Sequence, residues 1–535
     1  MKDRVSLTDF LMYHKETHPI SFHMPGHKGR GTLYGIYGFG DFIKNVVGND
    51  ITEIPGADAL QQPRERIKDI MEGYAGLYGA KHTEILVNGS SAGLMASILG
   101  SVPRGGKLLM GRNSHRSVYG ALRLGGVDPV YIMPEIDDET GLQLGLDPNK
   151  IEAALIEDTD IKAVLVTSPN YYGVLSDIER IASIVHLHGR ILIVDQAHGA
   201  HLKFFDYLRS EDGLPHRAAE NCGADIVVDS THKTLLSFTG SAILNICTER
   251  PDVSRISELL RMLQTTSPSY LLMGSLDINQ QILRMDGYNL IKNWDADIKY
   301  FYQEAAQIAG LGLIDRIDLD ETKVSITMSA LGLSGPELAE ELEKRNIWVE
   351  LTHGDYVMLM TGLGNERGDY EDILAALRDL SAHYGGRIQG EESESSASKT
   401  ESAAQNAAQK QAKNEIQAVA KNETQVTNKK ASQPVDKIAE LRTPSSDSAL
   451  IERLEQRKIP DTYEEVPLYS AEGRVLYESI IPYPPGTPIA CPGEVLSKSV
   501  ILYVRDQLVA QHVVLGVDEE GRVKVESDCV LFKEI

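Results

Sequence analysis

Cysteine is scarce in this chain. The four that occur, Cys222, Cys247, Cys491 and Cys529, stand far apart, and none forms a CxxC pattern. That spacing indicates neither a zinc knuckle nor a disulfide framework. Positive charge is also short, and the formal net charge is −24. Such a balance argues against a nucleic-acid partner, because phosphate binding needs clustered Lys and Arg. It gives cationic small molecules a favourable long-range field. No apolar run is long enough to span a bilayer, and Met1 to Arg4 begin no apolar signal core. The cytoplasm is therefore the expected location. No GxGxxG follows the first expected strand, which argues against dinucleotide binding. Aromatic residues are missing altogether between Tyr384 and Tyr463.

What is present points to several domains. A chain of 535 residues can bury a large core. Leu7 to Glu16 reads as an amphipathic helix. Ser21 to Gly29 is a loop dense in histidine and glycine, read as a plain loop or a substrate entrance, with Pro25 and Gly26 opposing a metal-binding helix. Apolar strands are expected at 84–87, 107–110, 130–133, 162–166, 191–194, 225–228 and 242–246, with helical stretches separating several of them. That alternation predicts an α/β fold, a mostly parallel sheet flanked by helices. A long helix is expected over 276–309, and a small α+β domain after it. From 386 the composition turns to Ser, Glu, Lys, Gln, Ala and Asn. Such a tract cannot bury enough apolar surface to offset its ordering entropy. The expected division is an N-terminal segment 1–60, a large domain 61–310, a small α+β domain 311–385, a disordered linker 386–436 and a C-terminal α+β module 437–535.

One stretch organises the chemistry. Ile226 to Val228 reads as a buried strand, Ser230 to His232 as a polar turn, and Lys233 follows at once. A lysine at the mouth of a buried strand loses proton affinity by desolvation and can form a Schiff base with an aldehyde. Ligands in such sheets sit beyond the carboxyl ends of the strands. The polar residues at those ends are Ser90 and Ser91 at a helix start, His115, Ser168 to Tyr172, Asp195 with Gln196 and His198, then Ser230, His232 and Lys233. A helix start suits a phosphate. Together they form a site for pyridoxal phosphate, with an amine, a ring, a carboxylate and a phosphate cradle. Glu494, in a rigid proline-rich loop, is a candidate substrate contact, and Asp50 and Glu53 occupy a second acidic loop.

Ser21 to Gly29, Asn88 to Gly93, Asn113 to Ser117, Asp195 to His201, Ser230 to Lys233 and Pro484 to Glu494 resemble the bacterial ornithine/lysine/arginine decarboxylases of pyridoxal-phosphate fold type I. The resemblance covers nearly the whole chain apart from the linker. It is to the shorter branch, which lacks the N-terminal wing domain of longer members. It implies that Lys233 holds the cofactor, Asp195 pairs with the pyridine nitrogen, His115 stacks on the ring and His198 lies near both. Ser91, the amide of Ala92, Ser230 and His232 would bind the phosphate. It implies decarboxylation of arginine, lysine or ornithine in polyamine-type metabolism. It also implies a homodimer with shared active sites, or a higher oligomer, with Thr265 to Ser267 as the neighbour's contribution. Lys233 or His115 would reprotonate the α-carbon, and Glu494, Asp50 or Glu53 would take the substrate's distal cation. Gln196 departs from relatives that carry Glu. Two alternatives remain: another fold-type-I enzyme such as an aminotransferase, for which Arg367 is an available carboxylate clamp, and a catalytically silent regulatory relative.

Overall fold

A computed structural model describes residues 6–385, 454–457, 459–460, 462–483, 487–509 and 513–527. The expected linker 386–436, most of an expected helix at 438–455 and part of the proline-rich loop lie outside the described residues. The fold is α/β. Its centre is a seven-stranded sheet, ordered His82–Leu86, Ala242–Ile246, Ile226–Asp229, Ile191–Asp195, Ile161–Thr167, Lys107–Gly111 and Asp128–Ile132. Only Ala242–Ile246 runs against its neighbours; the other pairings are parallel. Its middle strands are buried along their length, which is why they read as continuous Val, Ile and Leu runs. Helices Gly89–Ser101, Arg116–Gly125 and Val253–Leu263 cover one face; Pro148–Glu157 and Ile178–Leu187 cover the other.

The long helix runs Tyr270–Ala305 and is broken at Asp286, where the backbone leaves helical geometry. It starts earlier than expected because Ser269 caps it, its side chain accepting from Leu272 N. The small domain has an antiparallel four-stranded sheet, Leu351–His353, Tyr356–Met360, Lys323–Thr327 and Gly312–Leu313. Helices Gly335–Glu343 and 367–385 pack on it. Ile20–Phe22 pairs in parallel with Ile347–Val349, Ser21 opposite Trp348. Ile347–Val349 and Leu351–His353 are separate strands, divided at Glu350. Among the described residues no helix is long and apolar enough to cross a membrane.

The C-terminal module has its own apolar cluster, built on the Tyr463–Pro467 and Arg522–Glu526 pair and helix Lys498–Val509. One buried ion pair ties it to the large domain. Arg112 Nε donates to Glu494 Oε1 at 3.1 Å and Nη2 to Glu494 Oε2 at 2.8 Å. Arg112 Nη1 also donates to the Pro488 carbonyl at 2.8 Å, and Cys491 N to Glu494 Oε2 at 2.7 Å. Glu494 is 2% exposed. Glu494→Ala leaves the guanidinium buried and uncompensated, so about 3–5 kcal/mol of stability is expected to be lost. Urea unfolding of the two proteins measures it, and a loss under about 1 kcal/mol would show that the pair does not hold the module.

Candidate active site

The carboxyl ends of the parallel strands open onto a cavity of about 630 Å³. Lys233 lines it. The residue follows the Ile226–Asp229 strand through Ser230 and lies in the short helix Thr231–Thr234. Backbone bonds hold this turn from three sides: Lys233 N to Ser230 O at 3.1 Å, Gly26 N to His232 O at 2.8 Å and Leu363 N to Thr234 O at 2.9 Å. The N-terminal loop, the large sheet and the small domain therefore meet at this lysine. Gly26 permits the approach, since a Cβ there would stand 2.3 Å from the Leu235 carbonyl oxygen.

Lys233 Nζ donates to His198 Nε2 at 2.8 Å. Burial lowers the amine to a pKa of about 8, against the opposing pull of Asp195 and Glu350. About a tenth of it is neutral at pH 7, where an ordinary lysine is almost wholly charged. His198 is buried beside it, and burial followed by the Lys233 charge keeps its ring neutral, well below the usual histidine range. Because Nε2 accepts, Nδ1 carries the proton, and that atom is buried without a partner among the described residues.

Asp195 ends the Ile191–Asp195 strand and is 3% exposed. Burial raises its carboxyl pKa and the Lys233 charge opposes this; its Oδ1 accepts from Ala197 N at 3.2 Å. His115 caps helix Arg116–Gly125, its Nδ1 accepting from Ser117 N at 3.2 Å. The ring proton is then on Nε2. Burial, Lys233 and Arg116 push the His115 pKa down to about 3, so it presents a neutral flat ring.

A second group of polar atoms lines the same cavity. Helix Gly89–Ser101 begins with no side-chain cap from Asn88. Gly89 N donates to the Gly240 carbonyl at 2.8 Å, the N–H groups that follow it stay available to a ligand, and Ser90 and Ser91 line the cavity there. Ala92 follows in the same helix. Ser230 Oγ is buried without a partner among the described residues, a state that costs roughly 1–3 kcal/mol unless a ligand takes the hydroxyl. His232 spends Nδ1–H on the Ser241 carbonyl at 2.6 Å, leaving Nε2. The helix N–H groups and the Ser90, Ser91 and Ser230 hydroxyls are donors that fit a phosphate; the His232 ring, whose pKa burial lowers to about 4, offers Nε2 as a donor only when a bound anion favours its protonated form. The amine, the buried carboxylate and the neutral ring fit the remainder of pyridoxal phosphate.

The structure thus gathers Lys233, His115, Asp195, His198, Ser230, His232, Ser90 and Ser91 around one cavity. It does not gather the three carboxylates expected at the substrate. Glu494 has both oxygens engaged by Arg112 and is not on the cavity wall. Asp50 and Glu53 are exposed on the surface and do not line the cavity. The reason is positional: a polar motif shows that a carboxylate is held, and not what holds it. Arg367 does not line the cavity either. It donates to Asp297 at 2.6 Å and lies over the Tyr300 ring at 4.2 Å. Gln196 is buried away from the cavity, donating to Glu220 and Asp229 at 3.0 Å each. Thr265 to Ser267 is exposed and lies beside Asn88, Thr265 N donating to its Oδ1 at 3.4 Å.

Sequence reasoning missed Thr167, Trp348 and Glu350, which line the cavity. Glu350 accepts from Met24 N at 2.9 Å and from the Tyr171 hydroxyl at 2.9 Å. Met24 and Glu350 are 326 positions apart. Only the dense His/Gly loop at 21–29 offered a signal for that wall.

Comparison with known proteins gives concordant results. The family model described as Orn/Lys/Arg decarboxylase, major domain, matches residues 5–317, and that of the C-terminal domain matches 447–516. An arginine decarboxylase of Bacillus anthracis is 30% identical over 522 residues, covering 95% of this chain and 94% of that protein. One of Bacillus subtilis (strain 168) is 30% identical over 521 residues, with 95% and 94% covered. The solved constitutive lysine decarboxylase of E. coli shares the fold, with a TM-score of 0.66 at 20% identity, covering 97% of this chain and 81% of that one.

Proposed function

Because the chain belongs to the Orn/Lys/Arg decarboxylase family and is a pyridoxal-phosphate-dependent decarboxylase of a basic amino acid, we propose that its substrate is arginine and that Lys233 carries the cofactor. The arginine assignment rests on the relatives that are 30% identical over nearly the whole chain and named arginine decarboxylase. The observation that carries the site is the buried, cavity-facing Lys233 amine, its pKa lowered to about 8 and its Nζ set 2.8 Å from His198 Nε2 at the mouth of the sheet.

When bound, pyridoxal phosphate supplies a cationic conjugated ring that withdraws electrons from the α-carbon as CO2 departs. Asp195 would hold the proton on the ring nitrogen, its buried negative charge favouring the cationic form. Ser91, the amide of Ala92, Ser230 and His232 would bind the phosphate, with Ser90 beside them. His115 would cover one ring face and exclude water. Once CO2 has left, Lys233 is the better proton donor to the α-carbon, since its amine titrates near 8. His115, near 3, is not cationic at neutral pH. Among the described residues no arginine lines the cavity. Among the described residues of this chain the substrate's α-carboxylate meets no guanidinium clamp, whose grip would stabilise the ground state more than the transition state. That favours decarboxylation over transamination.

In this reading 61–310 carries the cofactor, 311–385 closes the cavity and 437–535 docks through Arg112. A homodimer fits the apolar N-terminal surface, where Leu7 is 73% and Val47 89% exposed. It also fits the exposed Thr265 to Ser267 beside the phosphate-binding helix start. The described cysteines Cys222, Cys247 and Cys491 are free thiols, in keeping with a cytoplasmic enzyme. CO2 release from arginine, lysine and ornithine by the purified holoenzyme tests the substrate. Arginine is expected to give a kcat/KM at least about tenfold above the others, a difference of roughly 1.4 kcal/mol, with agmatine as product. A preference for lysine or ornithine, or a keto acid as product, overturns the assignment.

A further inference from the structure

We propose that Glu350 is the anchor for the substrate's distal guanidinium, with Met24 and Tyr171 fixing its orientation. The inference rests on the arginine reading. Among the described residues that line the cavity, only Asp195 and Glu350 are acidic. Asp195 sits at the sheet edge, its charge coupled to the Lys233 amine, and is committed to the cofactor's end. Glu350 stands on the small-domain wall, in the break between Ile347–Val349 and Leu351–His353.

The bonding state of Glu350 is suited to a ligand. A carboxylate offers about four acceptor sites. Met24 N takes one on Oε2 and the Tyr171 hydroxyl takes one on Oε1, each at 2.9 Å. One bond to each oxygen fixes the plane of the group and leaves acceptor capacity on both. Two parallel N–H groups of a guanidinium fill that arrangement. Glu494 is the contrast, since Arg112 already supplies it with this fork. The surroundings agree. Trp348 and Tyr171 line the same cavity, and planar guanidinium groups pack well on aromatic rings. A line of contacts leads from the amine to Glu350: Lys233 Nζ meets His198 Nε2 at 2.8 Å. The His198 ring meets the Tyr171 ring at a centroid distance of 4.8 Å, and Tyr171 bonds Glu350. An extended side chain attached at Lys233's end of the cavity runs along this wall.

A purely architectural role is the competing account, because Glu350 also joins the N-terminal loop to the small domain. Binding separates the two without turnover. Calorimetric titration of the holoenzyme would use agmatine and N-carbamoylputrescine, in which a neutral urea replaces the guanidinium. Wild type is expected to bind agmatine at least about tenfold more tightly, the worth of one charge-assisted contact. In Glu350→Gln that preference is expected to fall below about threefold, with cofactor content unchanged. Tyr171→Phe, which keeps the charge and frees its orientation, is expected to lose part of the preference. Equal weakening of both ligands, or no weakening, overturns the anchor. If wild type prefers lysine as substrate, the arginine reading fails by itself; cadaverine binding that is weakened in Glu350→Gln would still place the distal cation at this carboxylate.

Discussion

Lys233→Ala is expected to abolish measurable CO2 release, a fall in kcat of more than about 10³-fold, since a positioned acid–base group alone contributes roughly 10²–10⁴-fold. The variant loses the amine that would hold the cofactor and the proton donor to the α-carbon together. The effect is chemical and not architectural. The turn around residue 233 is held by main-chain bonds from Ser230, Gly26 and Leu363, none of which uses the side chain. The unfolding midpoint should therefore shift little. Borohydride reduction of the wild-type holoenzyme, followed by peptide mapping, locates the attachment directly. A label on any other lysine would remove the basis of the site assignment. Lys28 and Lys323 are the informative controls. Both are buried amines, but Lys28 Nζ is bonded to the His23 and Met360 carbonyls. Lys323 Nζ is bonded to Asp320 and to the His198 carbonyl at 2.8 Å each.

Asp195→Asn is expected to reduce kcat by about 10²–10³-fold while much of the cofactor is retained, the scale seen when one preorganised electrostatic stabiliser is removed. The amide has the shape of the carboxylate and can still meet Ala197 N, so packing at this 3%-exposed position survives. What disappears is a negative charge in a low-dielectric setting, where it acts most strongly on a ring nitrogen. The phosphate donors and Lys233 stay in place, which is why binding outlasts turnover. The same charge raises the Lys233 pKa in the wild-type protein, so the amine of the cofactor-free variant should titrate below about 8. Single-turnover kinetics and the absorption spectrum of the variant decide the matter. Unchanged turnover would mean that Asp195 does not sustain the cationic ring.

Much of this molecule was readable from local patterning. The runs of the five inner strands are apolar because a stretch buried on both faces must be apolar throughout, and Ala242–Ile246 appears where its run lies. The polar residues after Leu86, Gly111, Asp195 and Asp229 converge because parallel strands bring their carboxyl ends to one edge. Nothing further was needed to bring Lys233, Asp195, His115 and Ser90 toward one another. Turn and cap chemistry was less legible. Ser269 starts a helix in a stretch that reads as a polar break.

Other features had no local signature. Glu350 reaches the cavity because Ile20–Phe22 pairs with Ile347–Val349, a register that neither segment specifies alone. Glu494 looks like a ligand-binding acid until Arg112, 382 positions away, is found against it. In both cases the side chain's chemistry is visible in the chain and its partner is not. Periodicity and composition act over a few residues, so they decide which segments become strands and what stands at their ends. The match between distant charges and distant strands is made only when the whole core closes, and that closure assigned one acid to the cavity and the other to the domain joint.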